Sequence, residues 1–377
     1  MSPTLFRYVV RTYLQWFAAV FSALWVVFLV ADFGDRLKQF LEHSLSDIAL
    51  LYWNKGLVAA HQLGPAAMLL AAGAAVTALR RRGEVTAVLA LGGSPRSFFG
   101  PIAAAGAVIA LGLLTFDELV ATQAGRNVDE LHVQRFQSWG DYRLFYSPKR
   151  WYRVGDDFLF LKGEKTGDVQ HDVSLFQMGP DFQLKRRVDA KSMSPLADGR
   201  WRLEQVSEWR LGAEELQRTH ADSYEVALPG TSVDSFRIRT GRPEQMRVGE
   251  LYEQRALREK VGLPVQRYTL ALHQRFAYPL TGLVAALLAV ALSLRRERRG
   301  QLTLALVEGF FIAVALWSSM VIFKTLAVSE RMNPALAAWA PLLLLGVTLA
   351  AFSAWERLTS AARGGTPPAS AAHSLPR

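Results

Sequence analysis

Apolar residues gather in six runs along the chain: Tyr13–Ala31, Leu57–Leu79, Phe98–Phe116, Phe276–Leu294, Gln301–Lys324 and Ala335–Trp355. Each holds about 20 residues, the length a helix needs to cross a hydrocarbon core about 30 Å thick. Three runs precede and three follow a long segment of mixed composition, residues 117–275. The pattern predicts six transmembrane helices in a 3 + 3 arrangement around an inserted domain. The first run is long and has no small-x-small cleavage site after it, so it reads as a span and not as a cleaved signal peptide.

The inserted segment follows a different rhythm. Short stretches rich in aromatic and β-branched residues alternate with turn signals. Candidate strands are Trp151–Val154, Phe158–Lys162, Val173–Met178, Leu184–Ala190, Trp201–Leu211 and Ser223–Leu228. Between them stand Gly155-Asp156, Gly167-Asp168, Gly179-Pro180-Asp181 and Asp198-Gly199. Such spacing without intervening helices predicts an all-β sandwich or jelly roll. Pro243–Lys260 reads as helical, and Pro264 starts the helix that becomes the fourth span. The fold class is thus membrane α-helical with an inserted all-β domain. The expected divisions are 1–116, 117–263, 264–358 and a tail, 359–377, rich enough in Ala, Ser, Gly and Pro to be disordered.

Charge adds orientation. The net charge of +10 resembles a nucleic-acid signal until it is located. Residues 117–275 are nearly neutral, with 25 basic and 24 acidic side chains. The excess sits beside the spans: Arg7 and Arg11, Arg80-Arg81-Arg82, Arg96, Arg295-Arg296-Glu297-Arg298-Arg299, Arg357, Arg363 and Arg377. With six spans, all of these fall on one side, which the positive-inside rule makes cytoplasmic. Both termini are then cytoplasmic. The loop 32–56 and the β-domain then lie on the other side, outside the cytoplasm. Nucleic-acid binding would need a basic face on a folded module, and none is indicated.

Catalytic chemistry is poorly represented. The chain has no cysteine, which removes disulfides, thiolate zinc sites and cysteine nucleophiles. It has no GxxxxGK[ST] phosphate loop, no HExxH and no GxSxG elbow, and its seven histidines do not fall at metal-ligand spacing. No metal or cofactor is expected in this chain.

The most informative stretch is Arg80–Arg96, between spans 2 and 3. Val85, Val88 and Leu89 fall on one face of a short helix expected at about 83–92. Glu84 lies near its start, where the helix dipole favours an anion. Gly92-Gly93-Ser94-Pro95 ends it. Two readings fit: an amphipathic connector in the interface, or a coupling helix that docks in a groove of a separate ATPase.

The string Arg82-Gly83-Glu84-Val85-Thr86-Ala87-Val88-Leu89-Ala90-Leu91-Gly92-Gly93-Ser94 resembles the coupling-helix region of the LptF/LptG (YjgP/YjgQ) lipopolysaccharide export permeases. The 3 + domain + 3 layout resembles them over nearly the whole chain. Trp201-Arg202-Leu203-Glu204-Gln205-Val206 resembles LptG in particular. So does Arg267-Tyr268-Thr269-Leu270-Ala271-Leu272-His273, with Pro279-Leu280 following. The resemblance implies a periplasmic β-jelly-roll and a transporter subunit without enzymatic activity of its own. ATP and Mg would sit on an LptB ATPase dimer. The other partners would be the second permease of the LptF/LptG pair, LptC, LptA-like periplasmic proteins and lipopolysaccharide itself.

On this resemblance Arg82, Glu84, Val85, Val88 and Leu89 carry ATPase coupling. Bases at the outer span ends would meet lipid A phosphates: Arg36, Lys38 and Lys324. Asp32 departs from the LptG pattern, which often has a lysine near that place at the outer end of span 1, and would repel phosphate. Trp25, Phe28, Phe310, Phe311 and Trp317 would line an acyl-chain cavity. The bland alternatives are interfacial anchoring for the bases and ordinary helix or lipid packing for the aromatics. Glu308, an acid within span 5, needs a partner or water. Two other functions stay open: an envelope scaffold or sensor that ignores an ATPase, and a permease of another envelope ABC exporter. The latter resemble four-span proteins with a domain after span 1, unlike this layout.

Overall fold

A computed structural model describes the chain apart from residues 1, 137–141, 143–144, 146–148, 163–164, 167, 180–182, 197–198, 212–215, 230, 240, 296–301 and 365–377. Arg296–Arg299, several expected turn residues (Gly167, Pro180-Asp181 and Asp198) and residues 365–377 of the expected tail therefore lie outside the described residues. The chain divides into two compact units, Met1–Val128 with Gln266–Arg377, and Asp129–Val265.

The first unit is helical. In chain order it contains α1 (Pro3–Phe40), α2 (Leu45–Arg81), α3 (Glu84–Ala90) and α4 (Arg96–Phe116). A π turn (Asp117–Ala121) leads into α5 (Thr122–Gln134), which passes into the second unit; α7 (Gln266–Arg295), α8 (Leu302–Val328) and α9 (Pro334–Gly364) complete the first. Among the described residues, six helices are long and apolar enough to cross a membrane: Pro3–Lys38, Leu45–Arg81, Ser97–Gln134, Gln266–Arg295, Leu302–Val328 and Pro334–Phe352.

Small residues bring the central helices together. In α2 the stretch Ala66 to Val76 is almost entirely Ala, Gly, Leu and Met, and it packs against Ala285, Ala286 and Ala289 of α7. A Cβ on Gly282 would lie 2.7 Å from the Pro65 Cα, and one on Gly64 would lie 2.5 Å from Leu113 Cδ1. Without a hydrophobic drive between helices in lipid, such close approach supplies the van der Waals contact that holds a bundle. Tyr13, Met68, Leu69, Phe98, Ile102 and Val290 fill the rest of this core. By contrast α1 and α8, which both pack on α2, leave Val26, Val27, Val30, Phe310, Phe311 and Ile322 exposed.

Three boundaries differ from the sequence expectation, each for a local reason. The segment 32–56, expected as a loop, is helical except at 41–44. There the Ser44 hydroxyl accepts from the Asp47 amide at 3.2 Å and starts α2 anew. Residues 117–134, expected in the inserted domain, continue the third span, because Asp117 is neutralised by Arg275 instead of breaking the helix. Residues 359–364, expected as disordered tail, continue α9.

The second unit is all-β with a helical flank. Its strands are β1 (Arg150–Val154), β2 (Asp157–Leu161), β3 (Lys165–Thr166), β4 (Val169–Met178), β5 (Leu184–Pro195), β6 (Trp201–Leu211) and β7 (Leu216–Val226). They form one antiparallel sheet in the order β1-β2-β4-β5-β6-β7, with β3 paired to β4. The inserted domain is all-β as expected, but its strands run as a meander and not in the paired Greek keys of a jelly roll. Side chains alternate across it: Val154, Leu159, Leu161, Val173, Leu175, Val188, Trp201 and Leu203 share the buried face. Phe236, on the 3-10 turn Val233–Arg237, closes that face edge-on to Trp201 at 5.1 Å and to Tyr152 at 5.0 Å. Helix α6 (Val248–Lys260) completes the unit. The strand expected at 223–228 instead begins at Leu216 and ends at Val226.

Candidate functional site

The helix α3 is seven residues long and starts where Gly83, at φ 78°, turns the chain out of α2. Only glycine adopts that conformation without strain. Glu84 is the first residue of α3, and its Oε1 accepts from the Tyr8 hydroxyl of α1 at 2.9 Å. Arg82 Nη1 reaches the same hydroxyl at 3.5 Å. The other oxygen, Glu84 Oε2, is buried and has no hydrogen-bond partner among the described residues. Such an atom is costly to leave unmatched.

The expected apolar face of α3 is split. Val85 is 1 % exposed and belongs to the bundle core, so it is not available for docking as expected. Two residues after Gly83, it shares that core with Val9, Leu79 and Phe98. Val88 is half-buried against the same core. Leu89, 41 % exposed, and Leu91, 88 % exposed, are the large apolar side chains left outward. Beside them, Tyr8, Arg11, Thr12, Gln15, Trp16, Ala78, Leu79 and Arg82 line a cleft of about 260 Å³ between α1 and α2.

At the opposite end of α1 lies a second polar group. Asp32 accepts from Lys55 Nζ at 2.5 Å and from the Tyr52 hydroxyl at 2.8 Å, and Arg36 Nε lies 3.6 Å away. Tyr52 packs edge-on against Phe33 and Phe40 at 5.4 and 5.7 Å, and Lys55 sits over its ring at 5.3 Å. Asp32 is thus matched by a lysine from the next helix. Two cations, Lys55 and Arg36, thus face this carboxylate. Lys38 and Lys324 are exposed on α1 and α8, and Glu308 is half-buried on α8.

The aromatics do not form one enclosure. Trp25 donates from Nε1 to the Gly56 carbonyl at 2.8 Å, and a Cβ on Gly56 would lie 2.9 Å from its ring. It packs α1 on α2, contrary to the expected cavity role. Phe28, Phe310, Phe311 and Trp317 are exposed on α1 and α8 and form open apolar surface within one chain.

Sequence reasoning missed Tyr8, Lys55 and a buried ion pair, Asp117–Arg275. Asp117 and Arg275 do carry a signal, opposite charges at facing ends of two apolar runs. Tyr8 and Lys55 carry none, since their partners lie 76 and 23 residues away in sequence.

A family model described as "Lipopolysaccharide export system permease LptF/LptG" matches residues 7–355. No curated protein matches the chain.

Proposed function

Because the chain belongs to the LptF/LptG family of lipopolysaccharide export permeases, we propose that it is one of two permease subunits in an ATP-driven transporter that lifts lipopolysaccharide out of the bacterial inner membrane. The carrying observation is that match, which spans all six membrane helices and the β-domain between them. The chain is a transport permease and not an enzyme. ATP and Mg belong on an LptB-type ATPase dimer.

In this reading α3 faces the cytoplasm and meets the ATPase with Leu89, Leu91 and Glu84. The outward Leu89 and Leu91 support it, since they leave α3 an apolar surface to dock with. Tyr8 holds the carboxylate in place, and Arg82 reaches the Tyr8 hydroxyl in turn. The outward faces of α1 and α8 meet the second permease and the acyl chains, with Phe28, Phe310, Phe311 and Trp317 as contacts. Arg36, Lys38, Lys55 and Lys324 stand at the outer ends, where phosphates of the head group would arrive. The β-domain, in the periplasm, passes the lipid to LptC- and LptA-like proteins.

Co-purification tests this reading. The wild-type chain, expressed with its partner permease and ATPase, should hold the ATPase, and Glu84→Lys should lose it while expressing normally. If the wild type holds no ATPase, the chain is an envelope scaffold or sensor instead.

A further inference from the structure

Three spans meet in a buried polar cluster that the transport reading does not use. Asp117 and Arg275 form an ion pair with side chains only 8 % and 7 % exposed. Arg275 Nη1 also donates to Thr122 Oγ1 at 3.1 Å, and Thr122 Oγ1 donates to the Asp117 carbonyl at 2.7 Å. His61 of α2 brings Nε2 to 3.8 Å from Asp117 Oδ1. The Tyr278 ring lies 5.3 Å from the His61 ring, and its hydroxyl donates to the Gln62 carbonyl at 2.5 Å.

Two features make this more than a staple. First, Asp117 opens the π turn Asp117–Ala121, and two groups that Arg275 holds, Asp117 and Thr122, belong to that turn and its exit. Turns of this kind recur at functional positions in helices, and a shift to plain α geometry re-aims every side chain beyond them. Arg275 therefore favours one form of the turn over the other, and a contact moves an equilibrium only through such a difference. Second, connectivity singles out these residues. The chain leaves the helical unit once, through α5, and returns once, into α7. Asp117 lies on the outgoing stalk and Arg275 on the returning one. His61 lies on α2, which runs directly to the Gly83 turn and α3.

We infer that Asp117 and Arg275 are positioning residues for transport: they tie the two stalks of the β-domain to each other and, through His61, to the helix that carries the ATPase-facing connector. Displacement of α3 then reaches both stalks together. This rests on the proposed role of α3. A pair of well-packed apolar side chains would hold the spans equally well, so packing alone does not call for charges here.

The test uses the full complex with partner permease and ATPase in vesicles carrying lipopolysaccharide. ATP hydrolysis and lipid release to a soluble acceptor are measured separately. Asp117→Asn keeps the volume and removes the charge. It should cut release about tenfold or more, the effect of losing roughly 1.4 kcal/mol of coupling, while hydrolysis falls far less. The double variant Asp117→Cys with Arg275→Cys, in a chain without other cysteines, should be uncoupled as purified. It should regain release when a short bifunctional thiol reagent bridges the two positions in the same preparation. Release unchanged in Asp117→Asn, hydrolysis and release falling in parallel, or no recovery on bridging would each overturn the inference and leave the transport reading intact. A wild-type complex that binds no ATPase would remove that reading, and the inference with it.

Discussion

Glu84 holds one carboxylate oxygen on Tyr8 and leaves the other buried and unmatched among the described residues. A charge-assisted hydrogen bond contributes about 1.5–3 kcal/mol, so Glu84→Gln should weaken ATPase association roughly ten- to hundredfold, measured by titrating the ATPase onto the purified permease pair. Asp32 shows the converse, a charge already satisfied. Lys55→Met should destabilise the chain by about 1–3 kcal/mol, because the carboxylate loses its closest donor. Asp32→Asn added to it should recover part of the loss, read as thermal unfolding in detergent. In the β-domain, burial alone would raise the Glu208 carboxyl. Hydrogen bonds from Arg210 and from Arg186, the latter at 2.7 Å, outweigh burial and hold it below the ordinary carboxylate range. A carboxyl lowered on folding stabilises fully above its unfolded value, about 4.3, and loses that contribution as pH falls through its folded value. Glu208→Gln should therefore flatten the acid limb of the unfolding curve below about pH 4 and leave its neutral part parallel to the wild type. The sequence placed Glu84 at a helix start correctly because capping is local. It could not pair Asp32 with Lys55, because no periodicity links positions on two helices.

At the scale of elements, α3 depends on its preceding turn and the bundle on its glycines. A side chain at Gly83 would be forced into the left-handed region, at a cost of about 1–3 kcal/mol. Gly83→Val should relieve most of that strain by re-aiming α3, so it should lower ATP hydrolysis by the complex more than it lowers the melting of the isolated chain. Gly282→Val should do the opposite. Its Cβ would strike the Pro65 backbone and push α2 from α7, lowering stability by about 1–3 kcal/mol in a detergent melt. The six spans were legible because twenty apolar residues in a row have few other uses. Strand order in the β-domain was not. Alternation marks a strand and its buried face, but whether neighbours pair as a meander or a Greek key depends on turns and register that composition does not encode. The extension of the third span to Gln134 was hidden for a related reason, since Asp117 looks like a helix end until Arg275 is placed beside it.

The whole molecule comprises a helical unit and a β-unit, within a family of lipopolysaccharide export permeases. Charge placement along the sequence predicts which side of the membrane each part occupies, and α3 and the β-domain must lie on opposite sides for the transport reading to hold. The most direct measurement of that reading is lipid release from vesicles. The chain is reconstituted with its partner permease and ATPase in a bilayer containing lipopolysaccharide, and transfer to a soluble acceptor is followed with and without ATP. The account predicts release that requires both ATP and this chain and is abolished by Glu84→Lys. Release that proceeds equally without the chain, or none from a complex that holds its ATPase and hydrolyses ATP, would contradict it.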